Sequence, residues 1–140
     1  MRIRPFTQDD AAFVVALWHE AGVTRPWNDP WLDIGRKQSV QPELFLVAED
    51  DGGVVGAIMA GYDGHRGWIN YLAVSPERQG AGIGRSLVER AESALTAMGC
   101  PKVQLQVRPD NDGVTDFYER LGYAPYEAIN MGKRLIVDGP

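Results

Sequence analysis

Residues Ser75 to Leu87 read SPERQGAGIGRSL, with Gly80, Gly82 and Gly84 at every second position and Arg78 and Arg85 on either side. The apolar run WINYLAV precedes this stretch. A helical pattern follows it, with Leu87, Ala91, Ala94, Leu95 and Met98 on one face and Gly99 as its stop. A glycine turn between a strand and a helix offers a definite chemistry. The first N–H groups of a helix have no partner within it, and the helix dipole adds partial positive charge there. Glycines remove Cβ atoms, so the backbone can close around a pyrophosphate. Arg78 and Arg85 add charge beside such a cradle.

Several patterns compete for this turn. The dinucleotide fingerprint G-x-G-x-x-G needs its third glycine where Arg85 stands. The nucleoside-triphosphate loop G-x-x-x-x-G-K-[ST] needs a lysine that Gly84-Arg85-Ser86 lacks, and its first glycine is misplaced. A tight turn without any ligand is the plain alternative, since glycine is the default residue of such turns. The pattern Q-x-x-G-x-G, from Gln79 to Gly84, fits a helix that starts near Gly82 and holds a pyrophosphate on its backbone amides.

The elements that must position this turn are readable along the chain. MRIRPF alternates as an edge strand, and Thr7 caps a helix carrying Asp9 and Asp10 in its first turn and Phe13, Leu17 and Ala21 on one face. Asn28 or Asp29 caps a second helix with Pro30 at its first position. ELFLVAED, VVGAIMAGY and WINYLAV read as strands separated by the turns DGG and DGHRG. KVQLQV alternates as a strand, DNDGVTDFYERLG is a short helix ending at Gly122, and AINMGKRLIV reads as a last strand. The order β-α-α-β-β-β-α-β-α-β predicts a mixed α/β sheet with helices on both faces, in a single domain over residues 1–140.

The stretch LAVSPERQGAGIGRSLVERAE resembles the acetyl-CoA-binding motif of the GNAT N-acetyltransferases, and NDGVTDFYERLGY resembles that family's later N-x-x-A-x-x-F-Y-x-x-x-G-F/Y element. RPWNDPWLDIGRK, LFLVAE, GYDGHRG and GKRL extend the likeness to the small bacterial YpeA-type members, nearly end to end. The resemblance implies the GNAT fold, with a central sheet of about six to seven strands. It implies direct transfer of an acetyl group from acetyl-CoA to an amine, without a metal. The pyrophosphate is then expected on the backbone of Gln79, Gly80, Ala81, Gly82, Ile83, Gly84 and Arg85. The pantetheine arm is expected along Leu72, Ala73 and Val74, with the Leu72 amide polarising the thioester carbonyl. Asn111 matches a position that contacts the cofactor arm, with a helix cap as its alternative role. Tyr118 matches the position that protonates the departing thiolate, with simple core packing as its alternative.

The general base is not evident. The carboxylate position of some family members falls near Trp68, which cannot act as a base. Asn70 and Tyr71 can order a water, and Asp29, Asp33 and Asp63 are the carboxylate candidates. Trp27, Asn28 and Asp29, with Asn70 and Tyr71, are the expected acceptor wall, through cation–π contact and charge. His65 and Arg66 read as a polar turn. The acceptor is expected to be a small amine, with a protein N-terminus or lysine as the alternative. A non-catalytic acyl-CoA sensor is the competing class.

Composition narrows the rest. No run of Lys and Arg forms a basic stripe and the net charge is −5, which speaks against nucleic acid and mildly for a cationic partner. AAFVVALW is too short to span a membrane and follows acidic residues, so neither a membrane partner nor a secretory signal is expected. The single cysteine, Cys100, excludes an internal disulfide, and with two distant histidines it makes zinc an unlikely ligand. A cytoplasmic protein is expected. The short stretch after Gly122 leaves one cleft wall open or built by a second subunit, so a homodimer is a candidate assembly.

Overall fold

A computed structural model describes residues 1–139, which divide into two compact units, Met1–Leu105 and the residues from Gln106 onward. The first unit contains β1 (Arg2–Pro5), α1 (Ala11–Glu20), α2 (Pro30–Gln38), β2 (Phe45–Asp50), β3 (Gly53–Tyr62), β4 (Gly67–Val74), α3 (Ile83–Ala97) and β5 (Val103–Gln104). The strands form one sheet in the order β1-β2-β3-β4-β5. The first three pairings are antiparallel, with short turns joining β2 to β3 and β3 to β4 and the two helices α1 and α2 lying between β1 and β2; β4–β5 is parallel, joined by the α3 crossover.

Alternation along the strands sorts the core onto two faces. Phe45 and Val47 of β2 and Ala57 and Met59 of β3 pack with Val14, Leu17 and Trp18 of α1 and Ile34 of α2. The intervening residues face α3: a Cβ added at Gly56 would lie 2.9 Å from Ile83 and 3.0 Å from Leu87. Helices therefore cover both faces. On α1 the predicted face is rotated. Phe13 is 64% exposed, and Ala11, Val14, Val15, Leu17 and Trp18 are the buried set.

Two strand expectations fail among the described residues. KVQLQV contributes only Val103 and Gln104 to the sheet, and AINMGKRLIV forms no strand, so the sheet has five strands rather than six or seven. Apolar alternation needs a ladder partner before it becomes a strand. Ile129, Met131 and Leu135 instead stand more than four-fifths exposed. The second unit is built on α4 (Asp112–Arg120), which ends as expected at Gly122 with a left-handed φ of 94°. No helix among the described residues is long and apolar enough to cross a membrane.

Candidate active site

The glycine turn folds as a cradle. Gly80 and Gly82 have φ of 87° and 84°, a region glycine enters without steric cost. Nothing lies within 4 Å of a Cβ added at either position, so the space above the turn is open. Gly82 is the N-cap of α3 and no side chain caps that end. The first helical bond runs from Ser86 N to Gly82 O at 3.0 Å, so the N–H groups of Ile83, Gly84 and Arg85 precede the first helical acceptor. These donors, with the helix dipole behind them, can hold a diphosphate. Arg78 ion-pairs with Asp50, and Arg85 donates to Glu89 at 2.6 Å. Both guanidiniums thus need to exchange a carboxylate to serve an anion. Gln79 Nε2 donates to Val74 O at 3.4 Å and ties the turn to the end of β4.

The strand β4 offers a second feature. It pairs with β5 only at Gly67 and Trp68 among the described residues, and the strand runs on to Val74 beyond that pairing. On the other edge, Met59 pairs with Asn70 and Ala57 with Ala73, so three steps of β4 oppose two of β3. The extra residue is a β-bulge. It changes the parity of the strand: Ile69, paired with Ala60, faces α3, whereas Ala73 belongs to the α1 face. Tyr71 lies in the bulge with φ of 53°. A left-handed backbone at an aromatic residue costs about 1–3 kcal/mol and needs support from its surroundings.

That support is visible. The Tyr71 hydroxyl donates to Asp33 Oδ2 at 2.6 Å, and its ring stacks on Trp18 with centroids 4.0 Å apart and planes 17° apart. Trp18 in turn stacks on Phe45 and is fully buried. Asp33 also accepts from Arg36 at 3.0 Å. The other two carboxylate base candidates have structural duties as well. Asp29 caps α2 by accepting from the N–H groups of Trp31 at 2.9 Å and Leu32 at 3.4 Å. Asp63 accepts from the N–H groups of His65 and Arg66 and from the Trp68 indole, and the two backbone donors hold its carboxyl below the usual range. The DGHRG segment is therefore a polar turn, as read from its residues. Trp27 stands 54% exposed beside the capped start of α2, and Asn70 is exposed on β4.

Asn111 and Tyr118 lie in the second unit. Asn111 is the N-cap residue of α4, yet its side chain makes no capping bond, so capping does not account for its side chain. Tyr118 is 7% exposed and meets the rings of Phe117 and Tyr123 edge-on at 5.0 and 5.5 Å. Burial pushes its phenol well above the ordinary range, so the oxygen keeps its proton throughout physiological pH.

Sequence reasoning named Tyr71 and Asp33 separately and missed Trp18 and the bulge. WINYLAV reads as an uninterrupted apolar strand, and nothing in it signals an extra residue.

Residues 11–123 match the Acetyltransferase (GNAT) family, and the chain belongs to that family; it is an acyltransferase. Over 138 residues, 99% of this chain and 98% of the relative, it is 52% identical to "Acetyltransferase ECA0875" of Pectobacterium atrosepticum. Among solved structures, Ard1 from Thermoplasma volcanium is similar with a TM-score of 0.78 and 28% identity, covering 90% of this chain and 84% of that one. Glucosamine-6-phosphate N-acetyltransferase from Arabidopsis thaliana is similar with a TM-score of 0.67 and 25% identity, covering 96% and 98%.

Proposed function

We propose that the chain moves the acetyl group of acetyl-CoA directly to a small-molecule amine. The observation that carries this reading is the succession, in sequence and fold, of a strand β4 that pairs with β5 only at Gly67 and Trp68 among the described residues and a helix N-terminus without a side-chain cap behind left-handed glycines. Backbone amides from Gln79 to Gly84, with Arg85, hold the pyrophosphate. Leu72, Ala73 and Val74 pair with the pantetheine arm, and the Leu72 amide faces the thioester oxygen, where charge develops. A preorganised donor of this kind contributes about 3–4 kcal/mol to a transition state. Asn111 contacts the arm.

The amine nitrogen attacks the thioester carbon, a C–N bond forms and the C–S bond breaks. The thiolate leaves and takes the proton of the Tyr118 hydroxyl, the ammonium proton passes to solvent, and solvent returns a proton to Tyr118 before the next turnover. Trp27, Asn28 and Asp29, with Asn70 and Tyr71, form the acceptor wall, where an exposed indole suits a cation. The small-amine choice draws support from the likeness to an enzyme named for glucosamine 6-phosphate. The family match runs through both compact units, which supports reading the chain as one acetyltransferase domain. The lone Cys100 suits a reducing cytoplasm. Gel filtration decides whether a second copy belongs to the assembly.

CoA release from acetyl-CoA over amines, amino acids and short peptides tests the reading. Turnover with small amines supports it. Turnover with peptides alone moves the acceptor to protein, and acetyl-CoA binding without turnover across the whole panel leaves a sensor as the better description.

A further inference from the structure

We infer that Asp33 is a positioning residue that acts through Tyr71 to hold the β4 bulge, and so links the acceptor-side helix α2 to the acyl-side edge of β4. The inference rests on the acetyl-transfer reading above. Four observations carry it. Tyr71 has a left-handed φ of 53°, one of two such non-glycine residues among those described. The register of β3 and β4 changes at this place and nowhere else along their pairing. The Tyr71 hydroxyl reaches from the sheet to α2 and donates to Asp33 at 2.6 Å across 38 residues of sequence. The ring face is held against buried Trp18, whose indole N–H has no acceptor among the described residues, so the ring is placed there for packing.

The consequence follows from position. Leu72 is the next residue after the left-handed one, so the orientation of its peptide plane depends on the Tyr71 backbone. A regular strand at this point would return Tyr71 to extended geometry and rotate the Leu72 amide. One hydrogen bond, anchored on a helix whose first turn follows Trp27 and Asp29, helps decide between the two. Acceptor contact with that helix would then be felt at the carbonyl-polarising amide. Asp33 thereby has a role other than the base considered from sequence.

Three variants separate this role from general stability: Tyr71→Phe, which keeps the stacked ring, Asp33→Ala, and the pair together. The decisive readout is the isotope-edited infrared band of acetyl-CoA labelled with carbon-13 at the carbonyl, bound to each folded protein. In the wild type the band is expected at lower wavenumber than in free acetyl-CoA. Each single variant is expected to lose most of that displacement and to lower kcat about tenfold, with acetyl-CoA Kd changed less than about threefold. The double variant is expected to be no worse than the worse single, because both remove one contact. A band unchanged in Tyr71→Phe, or losses that add in the double variant, overturns the inference. Failure of the wild type to bind acetyl-CoA overturns the acetyl-transfer reading itself and is distinguishable from both.

Discussion

At Tyr118, burial and the proposed acid role pull in opposite directions. Removal of solvent disfavours the phenolate, so the group is always loaded with its proton below its ordinary value of about 10. The same burial makes the proton harder to give up, so transfer depends on a thiolate arriving within hydrogen-bond reach. The sign of the pH effect follows. The stabilisation from keeping a neutral phenol buried is complete below about pH 10, the unfolded value, and is lost as pH rises beyond it. The kcat profile is therefore expected to show no decline caused by Tyr118 ionisation up to about pH 10. Tyr118→Phe should lower kcat by about a hundredfold across that range, with acetyl-CoA affinity by calorimetry nearly unchanged. An unchanged kcat would remove the residue from the chemistry and leave it to its aromatic contacts with Phe117 and Tyr123.

Among the elements, β1 is tied down by charge as well as by its ladder. Arg4 donates to both oxygens of Asp10, at 2.8 and 2.9 Å, and to Glu49 of β2 at 3.0 Å. Asp10 also accepts from Thr7 N at 2.8 Å, closing the turn that leads into α1. The guanidinium holds the buried Asp10 carboxyl below its usual range. This stabilisation is present above about pH 4 and is lost as pH falls toward the lowered folded value. Arg4→Met leaves the buried carboxylate uncompensated and should cost about 3 kcal/mol at neutral pH. The melting-temperature gap to the wild type should narrow on titration toward about pH 3. A gap that stays constant with pH would mean that packing, not charge, carries the loss. These ties also show what the sequence made legible. Asp29 with Pro30, Gly82 and Gly99 mark the ends they are read as marking, whereas Thr7 begins the short turn Gln8–Asp10 that leads into α1; caps and left-handed positions leave local residue signatures. The turn rotation of α1 and the two-residue length of β5 depend on distant partners, and no local pattern encodes them.

For the whole molecule, the same division between local and distant information separates the two halves of the candidate site. The backbone geometry of the glycine turn is readable, with left-handed glycines ahead of a helix that starts after Gly82, because glycine spacing and helix start are local properties. The lock of Tyr71 by Asp33 and Trp18 joins three elements, and only folding brings it together. The shortfall in strands has the same origin, since the apolar alternation after Gly122 lacks a ladder partner among the described residues. Net charge, by contrast, is a property of the whole chain and carries its own consequence. At −5 the protein repels a polyanion at long range, so the proposed donor contact with the amides of the α3 N-terminus has to act locally. The same field attracts a cationic amine. Screening length falls from about 30 Å at 0.01 M salt to about 3 Å at 1 M. Raising salt across this range should increase KM for a cationic amine about threefold or more, while a neutral hydroxylated amine of equal size is little affected. Steady-state kinetics with a matched pair of acceptors checks this. Equal salt responses for the two would show that the field of the protein plays no part in acceptor capture and would place recognition wholly in short-range contacts at the Trp27 and Asn70 wall.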